Sequence, residues 1–85
     1  MKLLFQRIKV EKNEKKAFKY FIKSAVMGNA YGMFFVGNCY KEGIGVEKDE
    51  KKTFECYKKS AEIGFAEGIN KIGDCYKEGI GVEKK

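Results

Sequence analysis

The most reactive atoms in this chain are the sulfurs of Cys39, Cys56 and Cys75. A zinc site would need thiolates at close spacing or imidazoles to complete the ligand set. The 85-residue sequence has no CxxC and no His. The lack of His also removes the commonest general base. The three thiols therefore read as small, half-buried apolar side chains. Their number is odd, and the apolar run in MKLLFQRIKV is only Leu3 to Phe5, too short for a secretory signal. Reduced thiols in an intracellular, cytoplasmic protein are expected.

Two further groupings invite a chemical reading. GIGVEK at 43–48, repeated at 79–84, has the glycines of a phosphate loop. A phosphate loop follows a strand and ends in Gly-Lys-Ser/Thr, whereas this one follows a helical pattern and lacks that ending. It reads as a structural turn. Glu47 and Asp49, or Glu83, would need a pocket that raises one pKa to act as acid catalysts. Lys48, Lys51 and Lys52 flank the first pair and hold it ionised, so these acids read as partners of a helix dipole. No catalytic, cofactor-binding or metal-binding residue is assigned, no cofactor is expected, and an enzyme is not expected.

The charge balance is basic, 18 Lys and Arg against 12 Asp and Glu, for a net charge of +6. Only Arg7 is an arginine, and base-reading proteins favour Arg for bidentate contacts. Lys15, Lys19 and Lys23 fall on one helical stripe, but the same stripe further on is Lys51, Glu55, Lys59. Mixed signs suggest a solvated face that attracts an acidic partner. Sequence-independent binding to nucleic acid or another polyanion is the alternative. No run approaches the roughly 20 apolar residues of a membrane span.

The elements that position these groups are marked by a repeat. VEKNEKKAF at 10–18 returns as VEKDEKKTF at 46–54, and GNCYKEGIGVEK at 37–48 returns as GDCYKEGIGVEK at 73–84. Aligning 10–45 with 46–81 gives 21 identities in 36 positions, which is one structural unit used twice. Ala17, Phe18, Phe21, Ala25 and Met27 recur with helical period, as do Ala30, Met33, Phe34, Gly37 and Tyr40. The spacing predicts helices over about 14–27, 30–41, 50–63 and 66–77, with Asn13 and Asp49 as N-caps. Gly28 and Gly64 end the first and third helices. Gly43, Gly45, Gly79 and Gly81 punctuate the longer loops. Gly32, Gly37, Gly68 and Gly73 lie inside predicted helices, where glycine costs about 0.5–1 kcal/mol relative to alanine. Close approach of a neighbouring helix is the expected offset at all four.

These residues are similar to the Sel-one-like repeat family, a relative of the tetratricopeptide repeats. The resemblance rests on VGNCYKEGIGVEKD at 36–49 and KKTFECYKKSAEIG at 51–64, and it covers 10–84. Val36 and Ile72 stand where the family has Leu, and Thr53 where it has Ala, while Ala17 keeps the pattern. The resemblance implies an all-α, right-handed α/α solenoid of antiparallel helix pairs. Some cysteine-rich relatives join the helices of a pair by disulfides; here the cysteines lie elsewhere in the unit. Cys39 and Cys75 occupy equivalent positions in successive units, too far apart for a disulfide, which needs Cα atoms within about 7 Å.

The expected organisation is a non-repeat segment at 1–9, repeat units at 10–45 and 46–81, and the start of a third unit at 82–85. The expected function is a non-catalytic protein–protein interaction module, an adaptor or scaffold. By the resemblance, the helices over 30–41 and 66–77 line the binding face. Tyr31, Phe35, Asn38 and Lys41, with Glu67, Asn70, Lys71 and Asp74, are its candidate partner-binding residues. The last helix has no successor here to cover Ile69, Ile72 and Tyr76, so two expectations stand: the chain is a piece of a longer repeat array, or it stacks end to end on another copy (self-association) or on a partner.

Overall fold

The computed structural model describes the backbone of residues 2–83 and the side chains of residues 12–83. Within these bounds the chain is four α-helices and the turns between them: α1 (Lys2–Val26), α2 (Ala30–Glu42), α3 (Glu50–Glu62) and α4 (Ala66–Glu78). Each helix packs on its neighbours in sequence, giving an all-α helical-repeat solenoid. Successive helices are antiparallel. The start of α2 meets the end of α3, where Ser60 Oγ donates to the Ala30 carbonyl at 2.9 Å. The end of α2 meets the start of α3, where the Asp49 N–H donates to the Tyr40 carbonyl at 3.0 Å.

The repeat in the sequence is a repeat in the contacts. Phe18 and Tyr40 meet edge to face at 5.5 Å, and Phe54 and Tyr76, each 36 residues on, do so at the same separation. Gly32 lets α2 settle on Ser24 of α1, and Gly68 lets α4 settle on Ser60 of α3. α2 ends where Gly43 turns left-handed at φ 73°, and α4 where Gly79 does so at φ 74°. In each case two successive N–H groups close onto one cysteine carbonyl, Cys39 or Cys75.

The first helix departs from expectation. It begins at Lys2, and Asn13 lies inside it rather than capping it. Residues 2–27 contain no glycine and no proline, so nothing stops a helix before 14 from joining the one after it. Asp49 stands in the same motif, but Gly43, Ile44 and Gly45 have already ended α2. Its side chain is therefore free to cap α3, accepting from the Lys52 N–H at 3.0 Å.

The core lies between α2, α3 and α4. Phe34, Tyr57 and Cys75 form its buried centre, with Phe35, Phe54, Phe65, Ile72 and Ile80 packed around them. Thr53 and Ser60 are fully buried polar residues. Both are satisfied by backbone carbonyls, Thr53 Oγ1 donating to Asp49 at 2.9 Å and Ser60 Oγ to Ala30.

Candidate protein-binding groove

The helix-interior glycines set how closely the rods approach. A Cβ on Gly37 would lie 2.7 Å from two ring carbons of Tyr57, so glycine here is the condition for α2–α3 contact. Cβ atoms on Gly32 and Gly68 would come within about 3 Å of Ser24 and Ser60 and of the backbone behind them. Gly73 is the exception to the expected close packing. It is exposed, and a Cβ there would meet nothing within 4 Å, because among the described residues no helix lies over that side of α4. The loop glycines Gly45 and Gly81 press on the backbone of α1 and α3, at Glu14 and Glu50. Gly28, Gly43, Gly45, Gly64, Gly79 and Gly81 all have positive φ. The GIGVEK loop thus faces protein, not a phosphate cradle.

The sequence-nominated residues of α2 divide by what they touch. Tyr31 is 54% exposed and rests its ring on Phe35 and Phe65, at 4.7 and 5.3 Å. Phe35 is half-buried, stacked on Phe21 at 4.8 Å and edge-on to Phe34. Asn38 is half-buried and its Oδ1 accepts from the Tyr57 hydroxyl. Lys41 is half-buried. On α4, Glu67, Asn70 and Asp74 are exposed and Lys71 is half-buried. Helical spacing puts Tyr31, Phe35 and Asn38 on one side of α2, with Glu67, Lys71 and Asp74 in the equivalent places on α4.

The opposite side of α2 floors a groove. Tyr40 is nine residues from Tyr31, two and a half turns, so it points the other way. Met33, Val36 and Tyr40 form the floor. Ile22, Ala25 and Val26 of α1 make one wall, and Lys52, Glu55, Cys56 and Lys59 of α3 the other. The groove has a volume of about 320 Å³. Lys52 Nζ lies 5.4 Å from the Tyr40 ring centroid, so one rim charge is held over the floor by its aromatic face. Val26, 81% exposed, is an apolar lip.

The groove was hidden from core-stripe reasoning, yet the repeat carries its signal. Ile22 and Val26 correspond to Lys58 and Glu62 in the second unit. Apolar side chains stand in the first copy where the second has charges, and those are the positions that wall the groove.

The thiols stay protonated. Burial raises the Cys39 thiol above its ordinary value, with Glu14 adding to it. Burial likewise raises Cys75, with Lys41 opposing, and Cys56, with Lys59 opposing. All three cysteines are free. Among the described residues no three His, Cys, Asp or Glu side chains converge as metal ligands, and no helix is long and apolar enough to cross a membrane.

Comparison with known families gives one result. The Sel1 repeat model matches residues 3–29, 30–65 and 66–85. Its divisions fall in the short turns before α2 and α4, half a unit from the 45/46 division of the sequence repeat. It also takes in residues 3–9. No curated protein matches the chain.

Proposed function

The chain belongs to the Sel1 repeat family, whose members are generally protein-interaction modules, and we propose that it acts as a non-catalytic adaptor through the α1–α2–α3 groove. One observation carries this reading: half-buried Met33 and Tyr40, with buried Val36 beneath them, floor an apolar groove beside two lysines. Buried apolar contact supplies affinity, at about 25 cal/mol per Å² removed from water, and the rim charges supply orientation. The matching partner is a helical or extended segment with one or two large apolar side chains flanked by carboxylates. The carboxylates meet Lys52 and Lys59, and the apolar side chains cover Met33 and Tyr40. Tyr31 and the exposed α4 residues Glu67, Asn70 and Asp74 offer a second, more polar contact line on the far side of α2. Three protonated, unpaired thiols suit a reducing, cytoplasmic compartment.

Fluorescence anisotropy with two labelled peptides of equal length tests the groove. One carries Leu at i, i+3 and i+4 with Glu between; the other carries Lys in place of Glu. The acidic peptide binds, and Val26→Glu or Lys59→Glu weakens it while leaving the fold intact, because both side chains are exposed. Equal binding of both peptides, or insensitivity to both substitutions, overturns the groove reading. Retention of random single-stranded DNA at physiological salt, with no peptide binding, would establish the polyanion alternative instead.

A further inference from the structure

The two walls of the groove differ in chemistry. On the α1 side Ile22, Ala25 and Val26 carry no charge. On the α3 side Lys52, Glu55 and Lys59 are all exposed, with half-buried Cys56 among them. At about 100° per residue, the three charged side chains fall within about 60° of arc, so they line one rim. Read along α3, that rim is basic, acidic, basic. Its first charge is anchored, because Lys52 Nζ lies 5.4 Å from the Tyr40 ring centroid.

The spacing of the rim selects a helix over an extended segment. At 1.5 Å of rise per residue, Lys52 and Glu55 are about 4.5 Å apart along the axis, and Glu55 and Lys59 about 6 Å. A helix lying along the rim has the same rise. Two of its side chains seven residues apart meet the two lysines, and one three or four residues in meets Glu55. An extended segment turns a side chain to the rim only about every 6.7 Å, and is out of step by the second lysine.

The sign of the middle charge then decides what sits opposite it. A third carboxylate facing Glu55 is repelled, whereas an ammonium or guanidinium there is attracted. The helix itself does not demand this acid. In α1 the equivalent places are Lys16, Lys19 and Lys23, all basic and all exposed. The fold thus accepts either sign at this position of the unit, and the acid stands where a groove wall needs it.

We propose that the groove takes a helical segment bearing an acid–base–acid triplet, with Glu55 as the residue that selects the central base. This rests on the groove reading above and narrows it. The outer acids of the triplet meet Lys52 and Lys59, the central base meets Glu55, and the apolar side chains of the segment turn toward Met33, Tyr40 and the α1 wall.

Fluorescence anisotropy with two pairs of labelled helical peptides tests it. All share the same leucines and carry Glu at p and p+7. One pair has Lys or Glu at p+3, the other Lys or Glu at p+4. The wild-type chain binds one of the two Lys-bearing peptides about fivefold tighter than its Glu-bearing control, the size expected when an exposed repulsion becomes an attraction. Which of the two wins gives the direction of the segment along α3. Glu55→Lys, which copies the charge pattern of α1, reverses that preference, and the preference fades in about 1 M salt. Equal binding of each pair by the wild-type chain overturns the triplet, as does a preference that survives Glu55→Lys. If in that case Val26→Glu still weakens all four peptides, the groove reading stands without the triplet. If no peptide binds, or Val26→Glu weakens none, the groove reading fails and the triplet with it. Glu55 is four residues from both Lys51 and Lys59, a helix-stabilising spacing, so circular dichroism verifies that Glu55→Lys stays helical.

Discussion

The Tyr57 ring occupies the space a side chain on Gly37 would need, and a single added methyl would lie 2.7 Å from two of its carbons. The ring cannot yield easily, because its hydroxyl is held by Asn38 and it is 1% exposed in the centre of the core. The equivalent glycine, Gly73, touches nothing. The same residue type at the same place in the repeat therefore has opposite energetics in its two copies.

Alanine substitution separates them. At Gly37 the gain in helix propensity is about 1 kcal/mol, and overpacking costs about 1–3 kcal/mol, so Gly37→Ala is neutral to destabilising by up to about 2 kcal/mol. At Gly73 only the propensity gain remains, and Gly73→Ala stabilises the fold by about 0.5–1 kcal/mol. Urea unfolding at micromolar concentration measures both. A stabilised Gly37→Ala, or a destabilised Gly73→Ala, would contradict the packing described.

Tyr57 also links stability to alkaline pH. Burial raises its phenol well above the ordinary 10.0, with the Cys75 thiol adding to the effect. Above pH 10 the unfolded chain sheds this proton while the folded chain keeps it, so the unfolded state binds fewer protons and stability falls as pH rises. The loss reaches about 1 kcal/mol by pH 11, from the linkage of about 1.4 kcal/mol per pH unit. Tyr57→Phe removes the Asn38 hydrogen bond, worth about 1 kcal/mol at neutral pH. It also removes this part of the alkaline slope. Unfolding free energies of the two proteins should therefore converge between pH 9 and pH 11; parallel curves would place Tyr57 in a wetter site.

Asn13 and Asp49 show what the sequence could and could not reveal. Both stand in a Val-Glu-Lys-Asn/Asp-Glu-Lys-Lys motif, and motif chemistry alone makes both N-caps. What separates them lies upstream: two glycines before Asp49, and a glycine-free helical run before Asn13. Helix number, pairing and turn positions were legible because the 36-residue repeat states them twice. The groove was not, because Met33, Val36 and Tyr40 carry the periodicity of core residues, and only the third helix's position decides that one edge stays open. Asp49→Ala should cost about 1 kcal/mol, and Asn13→Ala should be neutral or stabilising by a few tenths, about 0.3 kcal/mol. Thermal unfolding of the pair checks this. Equal losses would mean that Asn13 does cap a helix start.

Thiol reactivity reads the same architecture without perturbing it. Cys39 and Cys75 are 2% and 1% exposed, Cys39 beneath α1 and Cys75 in the core centre, and burial raises both thiols. They should react with a maleimide only when the chain opens, at rates that fall as stability rises. Cys56 is half-buried in the groove wall, with Lys59 drawing its thiol back toward the ordinary range. It should react first and alone under native conditions. Its thiol still lies above the ordinary 9.0, so its rate should climb about tenfold per pH unit from pH 7 to pH 9 with no plateau. Mass spectrometry of a labelling time course resolves the order. Because Cys56 borders the floor made by Met33, Val36 and Tyr40, a ligand seated there slows its labelling and leaves the other two unchanged. Protection of all three together would signal global stabilisation, and protection of none would place the ligand elsewhere on the surface.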